Sequence, residues 1–274
     1  MLRKTVRPTK DDAMSESMTP VALTIAGSDS GAGAGAQADL LTFAAHGVFG
    51  TTALTCLTAQ NPTGVAGVRA VVPDFVMAQC EQVRAHFRPT AAKTGMLLEA
   101  AIVRAVAGFI RSSGIPAVVD PVMVATSGAT LLRPEAIEAL RKELIPLAAV
   151  VTPNLDEASI LLGRKAVGGK AAASEASELA RAFGVPFLVK GGHGEGDALV
   201  DALAWPDGRA IELHSVRVHG VDTHGSGCTL SAAIAASLAK GHDLGTSVRQ
   251  AHAYLQEAIR RPLPVAGLRC IRHL

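Results

Sequence analysis

The sequence predicts an α/β fold: a mostly parallel central sheet with helices on both faces and a small hairpin flap. Three observations predict it. From Pro20 onward, short apolar β-branched runs alternate with longer segments of helical period, the pattern of strands joined by crossover helices. The chain has 274 residues, 49% hydrophobic and 18% charged, which is a globular composition able to bury a sizeable core. No internal repeat or linker interrupts the alternation, so residues 20–274 are expected to form a single domain. Residues 1–19 carry mixed charges and no apolar stretch; they read as a flexible tail and not as a secretory signal.

Taken in order, the first strand is expected at 21–26, followed by a helix at 37–46 and a strand at 51–58. Residues 40–68 contain no Asp, Glu, Lys or Arg, but His46, Gln60, Asn61 and Pro62 make the stretch buried sheet and loop, not a membrane span. The helix at 74–87 repeats Val76, Cys80, Val83 and Phe87 at helical spacing and should bury that face. Strands at 91–94, 117–120, 149–152 and 186–190 then take turns with helices at 99–112, 134–144, 154–162 and 174–183. Runs at 198–204 and 209–218, joined by Trp205, Pro206, Asp207 and Gly208, break the rhythm. A Pro-Asp-Gly turn between alternating runs marks a hairpin. Helices at 225–240 and 244–260 complete the domain.

Composition narrows the function. A net charge of +2 and 3% aromatic residues argue against nucleic acid and against a membrane surface, and favour a small neutral or anionic substrate. Cys56, Cys80, Cys228 and Cys270 lie far apart with no CxxC pair, which suits a reducing cytoplasm and no zinc site.

Several turns could carry chemistry. Residues 27–37, from Gly27 through Asp29 to Gln37, link a strand to a helix with small residues that let a ligand approach the backbone. They match a loose dinucleotide fingerprint, but no acid lies between Asp39 and Asp74 to hold a ribose. Residues 222–229 (Asp-Thr-His-Gly-Ser-Gly-Cys-Thr) feed a second helix, whose free amides at Gly225, Ser226 and Gly227 would form an anion hole. Cys228 in its first turn should feel the helix dipole, lowering its pKa and making it a plausible base. The alternatives are a packed cysteine or a Cys–His pair with His224. Asn154 and Glu157, three apart after a strand, could hold Mg²⁺ through water, or could form a capping box. Asp120 and Lys190 end apolar strands, where open parallel sheets bind ligands: Asp120 could serve a metal and Lys190 phosphate charge. There is no Walker A loop.

Together these segments resemble the hydroxymethylpyrimidine (phosphate) kinases of the ribokinase-like superfamily. The likeness rests on Ile-Ala-Gly-Ser-Asp at 25–29, Gly-Ala-Gly at 33–35, Gln-Ala-Asp-Leu at 37–40 and Leu-Thr-Ala-Gln-Asn at 57–61. It continues through Lys-Thr-Gly-Met-Leu at 93–97, Asp-Pro-Val-Met-Val at 120–124, Thr-Pro-Asn-Leu at 152–155, Val-Lys-Gly-Gly-His at 189–193 and 222–230, in the family's order. The resemblance implies a ribokinase-like fold, ATP and Mg²⁺ as cofactors, and a homodimer. It implies that Asp29, Gln60, Met96 and Gly27 line the pyrimidine pocket, with Gln60 bonding the heterocycle. Asp120, Asn154, Glu157 and Lys190 would serve MgATP, and Cys228 would take the hydroxymethyl proton. A pyridoxal kinase of the same branch and a non-catalytic pyrimidine sensor are the alternatives. Departures are Ser30, Gly31 and Ala32 in the first loop, Thr126 where a lysine is common, and a tail at 262–274 without the family's glycine-rich ending.

Overall fold

The computed structural model describes residues 18–123, 132–193 and 196–273. The tail expected at 1–19 therefore lies almost wholly outside the described residues, as does Thr126. The expected strands form as β1 (Val21–Ser28), β2 (Phe49–Asn61), β4 (Ala91–Thr94), β5 (Ala117–Val119), β6 (Val150–Val151) and β7 (Phe187–Val189), with β3 (Gly64–Ala70) added between. The hairpin forms as β8 (Ala198–Ala204) and β9 (Ala210–Val216). Helices α1 (Gly35–Ala45), α2 (Pro73–Phe87), α3 (Ala100–Ser113), α4 (Pro134–Ala139), α5 (Leu155–Leu162), α6 (Ala172–Phe183), α7 (Ser226–Ala239) and α8 (Leu244–Arg260) connect them. A two-stranded sheet of β10 (Leu263–Val265) and β11 (Leu268–Cys270) closes the tail.

The sheet has nine strands in the order β3-β2-β1-β4-β5-β6-β7-β8-β9. Its six central strands, β2 to β7, run parallel. The predicted hairpin does not stand apart as a flap: β8 pairs antiparallel with β7 and extends the sheet. Side chains alternate across the sheet and split the core in two. Leu23, Val119 and Phe187 pack under α2 to α6, whereas Ala22, Val118 and Leu188 pack under α1, α7 and α8.

Three local expectations need correction. β2 is longer than 51–58 and folds back onto β3, a partner not expected from sequence. The stripe on α2 is buried at Val76 and Cys80, but Phe87 is 41% exposed and stacks on Phe49 instead. The helix expected at 134–144 is one continuous helical segment, but it loosens after Ala139 into a π turn over Leu140–Leu144. The chain reverses strand order between β1 and β4, having built β2 on one side and β4 on the other. A ligand crevice is expected outside the carboxyl ends of strands at such a switch point. No helix among the described residues is long and apolar enough to cross a membrane.

Candidate active site

The loop leaving β1 is built around Asp29. One carboxylate oxygen accepts the Gly31 amide at 2.8 Å and the other accepts the Ala34 amide at 2.9 Å. Gln37, on α1, accepts the Asp29 amide at 3.0 Å and donates to the Ser28 hydroxyl at 2.7 Å, bracing the turn. Burial works against charge on Asp29, but hydrogen bonds from His224 and the two amides outweigh it and hold the carboxyl below its ordinary range. Gln60, near the end of β2, is pinned by its backbone: its amide donates to the Ser30 hydroxyl at 2.8 Å, which donates back to its carbonyl at 2.7 Å. The Gln60 side-chain nitrogen then lies 3.1 Å from His224 Nε2. Gly27 packs against Cys56 and Met96: a Cβ on it would stand 2.7 Å from Cys56 Sγ and 3.7 Å from Met96 Cβ.

Opposite stands the N-terminus of α7. Gly225 caps it at φ +82°, and a Cβ there would lie 1.9 Å from the Gly33 carbonyl oxygen, so only glycine fits. The Ser226 amide donates to the Thr223 carbonyl at 3.0 Å. That corrects one expectation: the Ser226 amide is spent on tightening the turn. A Cβ on Gly227 would meet Lys190 Nζ at 3.0 Å and Asp120 Oδ2 at 3.6 Å, which puts both charged groups against this helix end. Cys228 is partly buried, and burial pushes its thiol up to about 11 against the pull of the Lys93 ammonium. The expectation of a lowered pKa is thus overturned: desolvation exceeds the helix dipole. The Cys–His pair also falls, because the His224 ring faces Asp29 and Gln60.

Asp120 and Lys190 meet at 3.1 Å, and Asp120 also accepts from the Thr152 and Ser231 hydroxyls at 3.4 and 3.3 Å. Asn154 and Glu157 form the capping box: Asn154 Oδ1 accepts the Glu157 amide at 2.9 Å, and Glu157 accepts the Asn154 amide at 2.9 Å and the Met123 amide at 3.1 Å. Glu157 is 2% exposed, and burial pushes its carboxyl up to about 7, with Lys190 opposing and Asp120 adding to the shift. Among the described residues no cluster of three or more His, Cys, Asp or Glu gathers to hold a metal directly. Ala32, Leu98 and Val122 all carry positive φ in the loops after β1, β4 and β5. Such strain at a β-branched valine is held only where the surroundings over-determine it, and it collects at functional sites.

The contacts of two groups escaped the sequence reading. Lys93 on β4 is fully buried and grips Asp39 of α1 with both contacts at 2.9 Å, while Thr24 donates to the same carboxylate at 2.5 Å. The register Thr24–Lys93–Val118 puts this ammonium on the α1 and α7 face. Its charge is held on, and its pKa raised, by Asp39 against the cost of burial. Only the quoted Gln-Ala-Asp and Lys-Thr-Gly segments hinted at the pair. His224 enters the sequence reading only as the partner of a Cys–His pair, and its contacts with Asp29 and Gln60 are the part the sequence does not show.

Comparison with known proteins follows the same lines. A family model described as phosphomethylpyrimidine kinase matches residues 29–269. A hydroxymethylpyrimidine/phosphomethylpyrimidine kinase of Rhizobium meliloti is 49% identical over 88% of this chain and 91% of its own length. Among solved structures, a pyridoxal kinase of Bacillus subtilis in complex with ADP is 36% identical, with a TM-score of 0.86 over 93% of this chain and 98% of that one. A phosphomethylpyrimidine kinase of Clostridium difficile is 38% identical, with a TM-score of 0.77 over 88% of this chain and 100% of that one.

Proposed function

Because this chain belongs to the phosphomethylpyrimidine kinase family, we propose that it uses MgATP to phosphorylate 4-amino-5-hydroxymethyl-2-methylpyrimidine, its monophosphate, or both, in thiamin biosynthesis. One observation carries the reading. A ring-side pair, Asp29 and Gln60, and a phosphate-side pair, Asp120 and Lys190, converge on the two sides of a single helix N-terminus. That arrangement brings an alcohol into line with a phosphoryl group and neutralises charge between them, which is most of the catalysis in phosphoryl transfer.

In this reading Asp29 and Gln60 hold the heterocycle, Met96 packs on its face and Gly27 leaves it room. The Gly225, Gly227 and Cys228 amides receive the transferring phosphoryl oxygens, with Ser226 fixing the turn that aims them. Cys228 takes the hydroxymethyl proton as a thiolate, so its resting thiol first gives up its own proton to solvent with the Lys93 ammonium favouring that loss, and Lys190 balances charge on the phosphates. Asp120 and Glu157 present two carboxyl groups to the one Lys190 ammonium, and a hydrated divalent cation there would hold both in the charged form. Since Asn154 and Glu157 spend their oxygens on the capping box, they would hold Mg²⁺ through its water shell.

Residues 20–274 act as one kinase domain behind the segment 1–19. A homodimer fits the sheet edge at β3, where Val65 and, on the adjoining β2, Leu57 are 51% and 50% exposed and a second copy would cover them. Four free cysteines fit a reducing cytoplasm. Phosphorylation of pyridoxal is a second reading, favoured by the likeness to the solved pyridoxal kinase, since both substrates carry a ring hydroxymethyl group. ADP release coupled to each candidate substrate separates them: the pyrimidines should turn over, and turnover of pyridoxal alone would leave the chemistry standing and move the pathway.

A further inference from the structure

His224 ends the loop between β9 and α7, yet its ring reaches across the crevice. Nε2 lies 3.1 Å from Asp29 Oδ2 on the β1 loop and 3.1 Å from the Gln60 side-chain nitrogen on β2. A Cβ on Gly33 would fall 2.8 Å from the imidazole, so the ring is lodged against the same loop. The charged groups that face it are Asp29 across the crevice and Asp222 on its own loop. One imidazole nitrogen cannot serve both contacts well. A proton on Nε2 satisfies Asp29 and leaves the Gln60 amide facing a donor; a bare Nε2 accepts from Gln60 and sets a lone pair against a carboxylate. Whichever tautomer and amide orientation is drawn, one ring nitrogen carrying at most one proton meets two partners, so one contact is either mismatched or shares that proton.

Resting on the kinase reading above, we propose that His224 is a built-in placeholder for the substrate ring. In the free protein its imidazole occupies Asp29 and Gln60, and a heteroaromatic ligand enters by taking over both bonds as the imidazole is released. The ligand class this selects has a donor beside an acceptor on one edge, such as an exocyclic amine next to a ring nitrogen. The amine donates to Asp29 while the ring nitrogen accepts from the Gln60 amide, so both groups are satisfied at once where the imidazole satisfies one. A ring that offers only acceptors on that edge gains nothing at Asp29. His224 is a specificity-determining residue here, not a catalytic one.

The contact with Asp29 raises the affinity of His224 for its proton, against burial. Release on ligand binding returns the imidazole toward its ordinary value. Protons then compete with the ligand, so affinity falls as pH drops below the raised pKa, approaching tenfold per pH unit. NMR titration of the His224 ring in the whole chain, with and without saturating 4-amino-5-hydroxymethyl-2-methylpyrimidine, tests this. Calorimetric Kd values from pH 8 to pH 6 for wild type and His224→Asn complete the test. The proposal expects the His224 pKa to fall on adding the ligand and in Asp29→Asn. It also expects the wild-type to His224→Asn ratio of Kd to grow as pH falls, which cancels titration of the ligand itself. A ring pKa unmoved by bound ligand, or a pH-independent ratio, overturns the proposal and leaves the kinase reading intact. Failure of the wild-type protein to bind the pyrimidine at any pH overturns both.

Discussion

Cys228 shows how one side chain is set by opposed local forces. Its thiol sits in the first turn of α7, where the dipole favours a thiolate, yet desolvation pushes it up to about 11. The free protein therefore holds a protonated thiol at neutral pH. Alkylation of Cys228 by iodoacetamide should accelerate with rising pH, up to about tenfold per unit below that value, and not level off near the ordinary cysteine range. Lys93 opposes the shift, so Lys93→Met should slow alkylation further at a given pH. It should also destabilise the fold by about 3–5 kcal/mol, because the buried Asp39 loses its counter-charge and keeps only the Thr24 hydroxyl; chemical denaturation measures that loss. Gln60→Leu should weaken the aminopyrimidine by about 1–3 kcal/mol in binding assays, with a smaller change for pyridoxal. The residues at loop ends, such as Asp29, Asp120 and Lys190, were legible because apolar runs led straight into them. Lys93 was not legible: it closes a short apolar run and looks solvated until the register with Thr24 puts it under α1. The shift on Cys228 was misjudged because a sequence shows a helix start but not how much water surrounds it.

The N-terminus of α7 is where elements meet, and its glycines carry the precision. Gly227→Ala would set a methyl 3.0 Å from Lys190 Nζ, a tight contact that the lysine can relieve by moving aside. The variant should fold with a near-wild-type melting temperature while turnover falls by about 10²–10³-fold, as expected when an anion-stabilising donor is displaced. In the proposed reading, the capping box on α5 couples fold to phosphate handling in another way. Burial pushes the Glu157 carboxyl up to about 7, so it sheds charge as pH falls through that range and the KM for MgATP should rise from pH 7 to 5. A KM flat across that range would remove Glu157 from the metal side. Most elements were legible from period and turn chemistry, including the capping residue Asn154. β3 was not, because Gly64, Gly67 and two alanines give it no strand signature; pairing with β2 makes it a strand. Phe87 sits at helical spacing yet stays partly exposed, because it follows the last turn that reaches the core and finds Phe49 instead.

The molecule as a whole is a sheet whose parallel centre makes the crevice and whose antiparallel ends finish it. Alternation of strands and helices announced the parallel centre, but strand order depends on which neighbour each crossover chooses, and that lives in packing. The hairpin was legible as a hairpin, whereas its union with β7 was not. If β3 is covered by a second copy, Val65→Lys should shift the protein from dimer to monomer in sedimentation analysis, with the monomer still folded. The central claim is that one helix end receives a phosphoryl group while Cys228 takes the alcohol's proton. Single-turnover phosphoryl transfer from MgATP to the hydroxymethylpyrimidine, in wild type and Cys228→Ala with binding measured alongside, tests it most directly. The account predicts that Cys228→Ala binds both substrates as before and transfers about 10²–10⁴-fold more slowly. Transfer at the wild-type rate in Cys228→Ala would contradict it.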